Sequence, residues 1–146
     1  MSALVTVDIE FDKREAVVAA LEEMGYKVQS SDQGSLTVHG ESGVFTKKAE
    51  VLAAKSAPGQ RRMYSDIGFD RTSNGKLRMI ISDVDQHWMA NPESTTYYGG
   101  NTKRGEDRLK QLYGKHAVLQ QAQANRWNTA VSESDGDVVI QMRRFV

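Results

Sequence analysis

The sequence contains no cysteine, and that absence removes several chemistries at once. Disulfide staples, thiolate nucleophiles and cysteine-ligated zinc or iron–sulfur centres all need a residue type the chain does not have. Proline is scarce, two in 146 residues, and no linker or low-complexity segment divides the chain. An excess of one charge is missing too, because nineteen basic residues balance nineteen acidic ones. A strongly basic domain is the generic electrostatic footprint of a nucleic-acid binder, and this chain does not carry it. No apolar run approaches the roughly 20 residues a membrane helix needs. The opening Met1-Ser2-Ala3-Leu4 has neither a basic n-region nor an apolar h-region. The expectation is one soluble, cytoplasmic domain over residues 1–146, without membrane contact and without a cofactor. A folded chain of this length hides about 68–70% of its unfolded surface, enough for a core that needs no staples.

What the chain does contain is a helix-then-hairpin pattern, used near both ends. Val5, Val7, Ile9 and Phe11 alternate with Thr6, Asp8 and Glu10, the period of a strand with one wet face. Asp12 and Glu15 have capping-box spacing ahead of Val17, Val18, Leu21 and Met24, and Gly25 suits a left-handed helix stop. Val28 and then Leu36 with Val38, around Asp32-Gln33-Gly34, predict the first hairpin. Residues 40–48 read as a loop, 49–55 as a strand, and Ser56-Ala57-Pro58-Gly59 as a turn. Strands at Met63–Phe69 and Leu77–Ile81 flank Ser73-Asn74-Gly75, and Asn-Gly is a strong hairpin signal. Residues 86–103 form the longest irregular stretch. A second helix over 104–125 places Leu109, Leu112, Tyr113, His116 and Leu119 on one face. Trp127, Thr129 and Val131, the turn Ser134-Asp135-Gly136-Asp137, and Val138, Ile140 and Met142 complete the second module. The fold class is therefore α+β: an antiparallel sheet with two helices on one face, in the order β-α-β-β-β-β-β-α-β-β.

Several stretches carry a family resemblance. Lys48-Ala49-Glu50-Val51, Tyr64-Ser65-Asp66-Ile67-Gly68-Phe69, Leu77 to Asp83, Arg108-Leu109-Lys110-Gln111-Leu112-Tyr113 and Val139-Ile140-Gln141-Met142-Arg143-Arg144-Phe145 resemble domain-of-unknown-function family 1257. Its best-known members are a conserved reading frame of red-algal plastids and cyanobacteria, with relatives in bacteriophage genomes. The resemblance runs from the first strand to residue 145 and implies a small stand-alone α+β protein. It implies no reaction, since the family brings no established activity.

The densest chemistry is Ser82-Asp83-Val84-Asp85-Gln86-His87-Trp88. If the strand from Leu77 continues, Asp83, Asp85 and His87 share one face at period two and offer oxygen and nitrogen ligands to a divalent metal. The bland alternative is a strand end dissolving into solvated loop, and the spacing matches no established metal loop. Trp88, Tyr97 and Tyr98 suit a recognition loop, where aromatics give large contact area at low entropic cost, or else a lid on the core. Gly99-Gly100-Asn101-Thr102-Lys103-Arg104 could present amides to an anion, but a plain helix cap at Asn101 or Thr102 is the preferred reading and no phosphate-loop spacing is present. Lys47, Lys48, Lys55, Arg61 and Arg62, with Arg143 and Arg144, could form a basic stripe for phosphate or RNA; a solvated sheet face is the default. His116 reads as a hydrogen-bonded boundary residue, His39 ends a strand, and no serine stands in a Gly-x-Ser-x-Gly setting.

The leading expectation is a non-catalytic binding or accessory module that acts through protein–protein contacts, with Trp88, Tyr97 and Tyr98 as anchors. Unpaired sheet edges would also permit a homodimer by strand addition. The alternatives are a small-ligand or nucleotide-sequestering protein, of the kind a phage uses against a host signal, with Lys103, Arg104, Arg61 and Arg62 on phosphates, and a metal-dependent enzyme at Asp83, Asp85 and His87.

Overall fold

The computed structural model describes residues 3–41, 46–54, 65–90 and 105–144, apart from the side chains of Trp88 and Ala90. Strand β1 (Leu4–Phe11) is followed by helix α1 (Arg14–Glu23), β2 (Val28–Ser30), β3 (Leu36–His39), β4 (Thr46–Ala49) and β5 (Val51–Ala53). Then come β6 (Ile67–Arg71), β7 (Leu77–Ser82), α2 (Asp83–Ala90), α3 (Gly105–Ala124), β8 (Trp127–Ser134) and β9 (Asp137–Arg144). The architecture is α+β, with a five-stranded antiparallel sheet in the order β1-β7-β6-β5-β2 and two separate hairpins, β3-β4 and β8-β9. No described helix is long and apolar enough to cross a membrane.

The alternation in β1 works as its sequence suggests. Ile9 and Phe11 are buried while Thr6, Asp8 and Glu10 face solvent. Phe11 packs edge-on to Phe69 and against Tyr113, with ring centroids 5.8 and 4.7 Å apart. These rings join Val17, Leu21, Met79, Leu109 and Leu112 in one core between the sheet and helices α1 and α3. Gly25, at φ +99°, ends α1, and Tyr26 N–H reaches back to the Leu21 carbonyl at 3.1 Å in a Schellman-type closure. The expected capping box at the other end does not form. Lys13 occupies the cap position and no side chain of the box bonds there. Instead the Tyr113 hydroxyl, from α3, accepts the Asp12 and Lys13 amides at 3.0 and 3.1 Å, while the Asp12 carboxylate takes the Lys76 ammonium. A tertiary contact has replaced a local one.

The first expected hairpin is not present either. β2 pairs with β5 and β3 pairs with β4, so the turn at Asp32-Gln33-Gly34 joins strands of different sheets. The strand expected over 49–55 is two, broken at Glu50: Ala49 belongs to the β3-β4 hairpin and Val51 to the main sheet. Glu50 marks the crossing. Its carboxylate is buried and takes a two-pronged bond from Arg71 (2.9 and 3.1 Å) and one from Arg14 at 3.3 Å. Local pattern shows that a segment is a strand, but its partner is chosen by packing. Here the β3-β4 hairpin lies over the second face of the sheet, where Val38, Ala49 and Ile80 make a small second core. The remainder of that face, with Asp8, Glu10, Asp70 and Arg78, is charged and open to solvent.

The turns carried by asparagine and aspartate with glycine hold. Gly75 at φ +82° turns β6 into β7. Asp135 (φ +51°) and Gly136 (φ +80°) form the two-residue loop between β8 and β9, the positive-φ pair that matches strand twist.

Candidate interaction surface

The segment Asp83–Ala90 is a helix, and this changes its chemistry. The Ser82 hydroxyl accepts the Asp85 amide at 3.0 Å and so caps α2, with Asp83 and Asp85 in the acidic first turn. The Asp85 carboxylate turns inward and accepts both the amide (2.8 Å) and the hydroxyl (3.3 Å) of Ser65. The Ser65 hydroxyl in turn accepts the Ser82 amide at 2.8 Å. This is a capping box closed through a third residue. The period-two alignment expected of Asp83, Asp85 and His87 therefore does not exist: at 100° per residue Asp83 and Asp85 point to opposite sides of α2, and Asp85 is buried while Asp83 and His87 are exposed. Among the described residues no three carboxylates or imidazoles converge as a metal site would require. The spacing Ser82-x-x-Asp85 was the readable signal for this helix.

Among the described residues the buried polar side chains are Glu50, Ser65, Asp66, Ser82 and Asp85. Asp66 accepts the His39 amide at 3.0 Å, Glu50 holds its arginines, and the other three form the α2 cap. All five are engaged in backbone closure or ion pairing. Of the basic residues in the middle of the chain, Lys47 and Lys48 are described and Lys55 lies outside the described residues. Lys47 and Lys48 line an open cleft of about 380 Å³ with Arg71 and Arg78. Arg71 is committed to Glu50, Arg78 to Glu10 (2.6 Å) and Asp8 (3.4 Å), and Lys48 to the Thr37 hydroxyl. Arg61, Arg62, Tyr97, Tyr98, Lys103, Arg104 and the side chain of Trp88 lie outside the described residues.

A different region collects unsatisfied apolar surface. The exposed large hydrophobics among the described residues are Val118 on α3 and Val131, Val139 and Met142 on the β8-β9 hairpin. Their exposures run from 38 to 48%, and no residue of either strand is buried. Each strand has eight residues, which makes the ribbon about 27 Å long. Trp127, Thr129, Val131 and Glu133 pair with Arg144, Met142, Ile140 and Val138 on one face. That face is turned to α3, since Trp127, Val138 and Ile140 are half-buried there while the opposite face is fully exposed. At the base of the hairpin a mostly apolar groove of about 350 Å³ is lined by Ala117, Val118, Ala122, Trp127 and Met142. The Arg144 guanidinium sits 5.8 Å from the Trp127 ring centroid.

Polar contacts lock the hairpin to its helix. Gln111 donates to the Gly136 carbonyl at 2.5 Å, and Arg108 reaches Gln111 (2.7 Å) and Glu133 (3.3 Å). Among the described residues the buried Arg108 Nε has no hydrogen-bond partner. On its other side α3 meets α1 through Glu23, which binds Lys115 at 2.7 Å and His116 at 3.0 Å. Partial burial pushes the Glu23 carboxyl up, but the bonds from Lys115 and His116 outweigh it and hold the group below its ordinary value. His116 is thus a hydrogen-bonded boundary residue. The sequence pattern places the hairpin and its alternating apolar residues, but not what covers them. An amphipathic strand looks the same whether its apolar face meets a helix or open water.

Residues 20–142 match the model of a family described as "Protein of unknown function (DUF1257)". No characterised protein and no solved structure matches the chain.

Proposed function

The chain belongs to the DUF1257 family, and we propose that it is a non-catalytic binding module that acts through protein–protein contacts made by α3 and the β8-β9 hairpin. One observation carries the reading: among the described residues the exposed large apolar side chains are gathered on α3 and this hairpin, a long two-stranded ribbon without a buried residue. A two-stranded hairpin needs further strands or a helix against it; here α3 meets one face and the other is exposed. The groove supplies what a hot spot needs, an aromatic and aliphatic floor (Trp127, Val118, Met142) with a cationic rim at Lys13 and Arg144. The engagement of the buried carboxylates and serines in structural roles supports the non-catalytic part of the proposal. Trp88, Tyr97 and Tyr98 remain candidate anchors on sequence grounds.

The test is affinity purification from the native host with the wild-type chain and with Val118→Asp/Trp127→Ala. Stoichiometric co-purification of a protein with the wild type, lost in the variant while its circular dichroism is retained, is the expected result. Recovery of the same proteins by both chains refutes the surface assigned here.

A further inference from the structure

We infer that the outer edge of β9 pairs with the same edge of a second copy of this chain, antiparallel about a two-fold axis, giving a continuous four-stranded sheet. The inference deepens the proposed function and rests on its reading of the hairpin as an interaction element.

The geometry begins at the turn. In a hairpin closed by a two-residue loop, the residues flanking the loop form the first hydrogen-bonded pair. Here that pair is Ser134 with Asp137. Hydrogen-bonded and non-bonded pairs then alternate. Asp137, Val139, Gln141 and Arg143 therefore bond inward to β8, and the amides and carbonyls of Val138, Ile140 and Met142 point away from it. β9 has a ladder neighbour on one side only among the described strands. A strand of this length with an open row of donors and acceptors is a template for strand addition unless something blunts it. β9 contains no proline and no lysine, and its charges, Asp137, Arg143 and Arg144, stand at its two ends and leave Val138 to Met142 uncharged.

The register follows from charge. Two-fold pairing must set outward-pointing residues opposite one another and keep each side chain on its own face. With Ile140 opposite Ile140 of the second copy, Asp137 falls opposite Arg143, and symmetry forms that acid–base pair twice. Val138 then faces Met142, also twice, on the side turned toward α3, beside the half-exposed Val131. The next permitted registers are worse: centring on Val139 sets Asp137 against Gln141, and centring on Gln141 carries Asp137 past Arg144. Asp137 already has a partner within its own chain, but a carboxylate can accept from more than one donor. β8 offers no comparable match, because Glu133 is the single charge along it. About six backbone hydrogen bonds join the copies in this register. The contact is smaller than the roughly 800 Å² per partner of a standard interface, so a concentration-dependent equilibrium is expected in place of a permanent dimer.

Sedimentation velocity over a series reaching about 1 mM tests the inference on the full chain. The wild type is expected to pass from monomer to dimer. Asp137→Arg and Arg143→Asp should each raise the dissociation constant about tenfold or more by setting like charges opposite, and the double exchange should restore it. Met142→Pro removes an outward amide, which the β8 ladder does not use, and should abolish the dimer; Met142→Ala keeps that amide and should retain it. A wild-type monomer throughout the series overturns the inference, as does a dimer indifferent to both the charge exchange and the proline. The affinity purification above is a separate readout. A chain that stays monomeric yet loses its partner on replacing Val118 and Trp127 leaves the binding-module reading standing and removes only self-pairing.

Discussion

Gly68→Ala is the substitution whose outcome depends most directly on the second layer of this fold. Gly68 is buried in the middle of β6, opposite Ile80 on β7 and Leu52 on β5. A methyl group added there would run into the Val38 side chain, with the Ala49 Cβ a further 3.2 Å contact. Both belong to the β3-β4 hairpin that covers this face. Without that hairpin, alanine should stabilise the strand by roughly 0.5–1 kcal/mol, since glycine loses the most backbone freedom on folding. Against the hairpin, overpacking costs about 1–3 kcal/mol, so the net expectation is a loss of about 1–2 kcal/mol. For a chain of this size that lowers Tm by about 3–8 °C. Val38→Ala alone should cost about 2 kcal/mol through lost methyl groups and a small cavity. In the double variant the new methyl enters the space vacated, so the combined loss should fall short of the sum by about 1 kcal/mol or more. Calorimetry of the four proteins measures the cycle, and amide exchange over residues 36–39 and 46–49 should rise in Gly68→Ala alone. A higher Tm for Gly68→Ala, with exchange over those strands unchanged, would refute the packing argument.

Two further substitutions probe the polar joints. Asp85→Ala strands the Ser65 amide and hydroxyl and should cost about 1–3 kcal/mol by urea denaturation; combined with Ser65→Ala the losses should be clearly less than additive, and strict additivity would show that the relayed cap of α2 does not exist. Glu23→Gln, at the contact of α1 with α3, should cost about 0.5–1 kcal/mol at neutral pH. The Glu23 carboxyl is depressed in the folded state, so its contribution is complete above the ordinary value of 4.5 and is lost as pH falls through the folded value. The Tm gap between wild type and Glu23→Gln should therefore close below about pH 4.5, and a gap that widens on acidification would contradict the assignment.

The sequence alone determined which segments are strands and helices wherever a short-range cause was sufficient. Alternation in β1, the helical spacing of α1 and α3, Gly25 at the end of α1 and the Asp135-Gly136 turn all act within a few residues, and all are found where the pattern puts them. The α+β class and the family follow from the same local evidence. Partner choice was decided only in three dimensions. β2 leaves β3 for β5, the chain changes sheets at Glu50, and Tyr113 caps α1 across the core, because each is settled by contacts distant in sequence. The same limit explains why the metal alternative at Asp83, Asp85 and His87 could be read at all. Whether Asp85 meets a metal or Ser65 depends on what stands opposite. A side chain's neighbours across space are a property of the folded packing, and no window of sequence contains them.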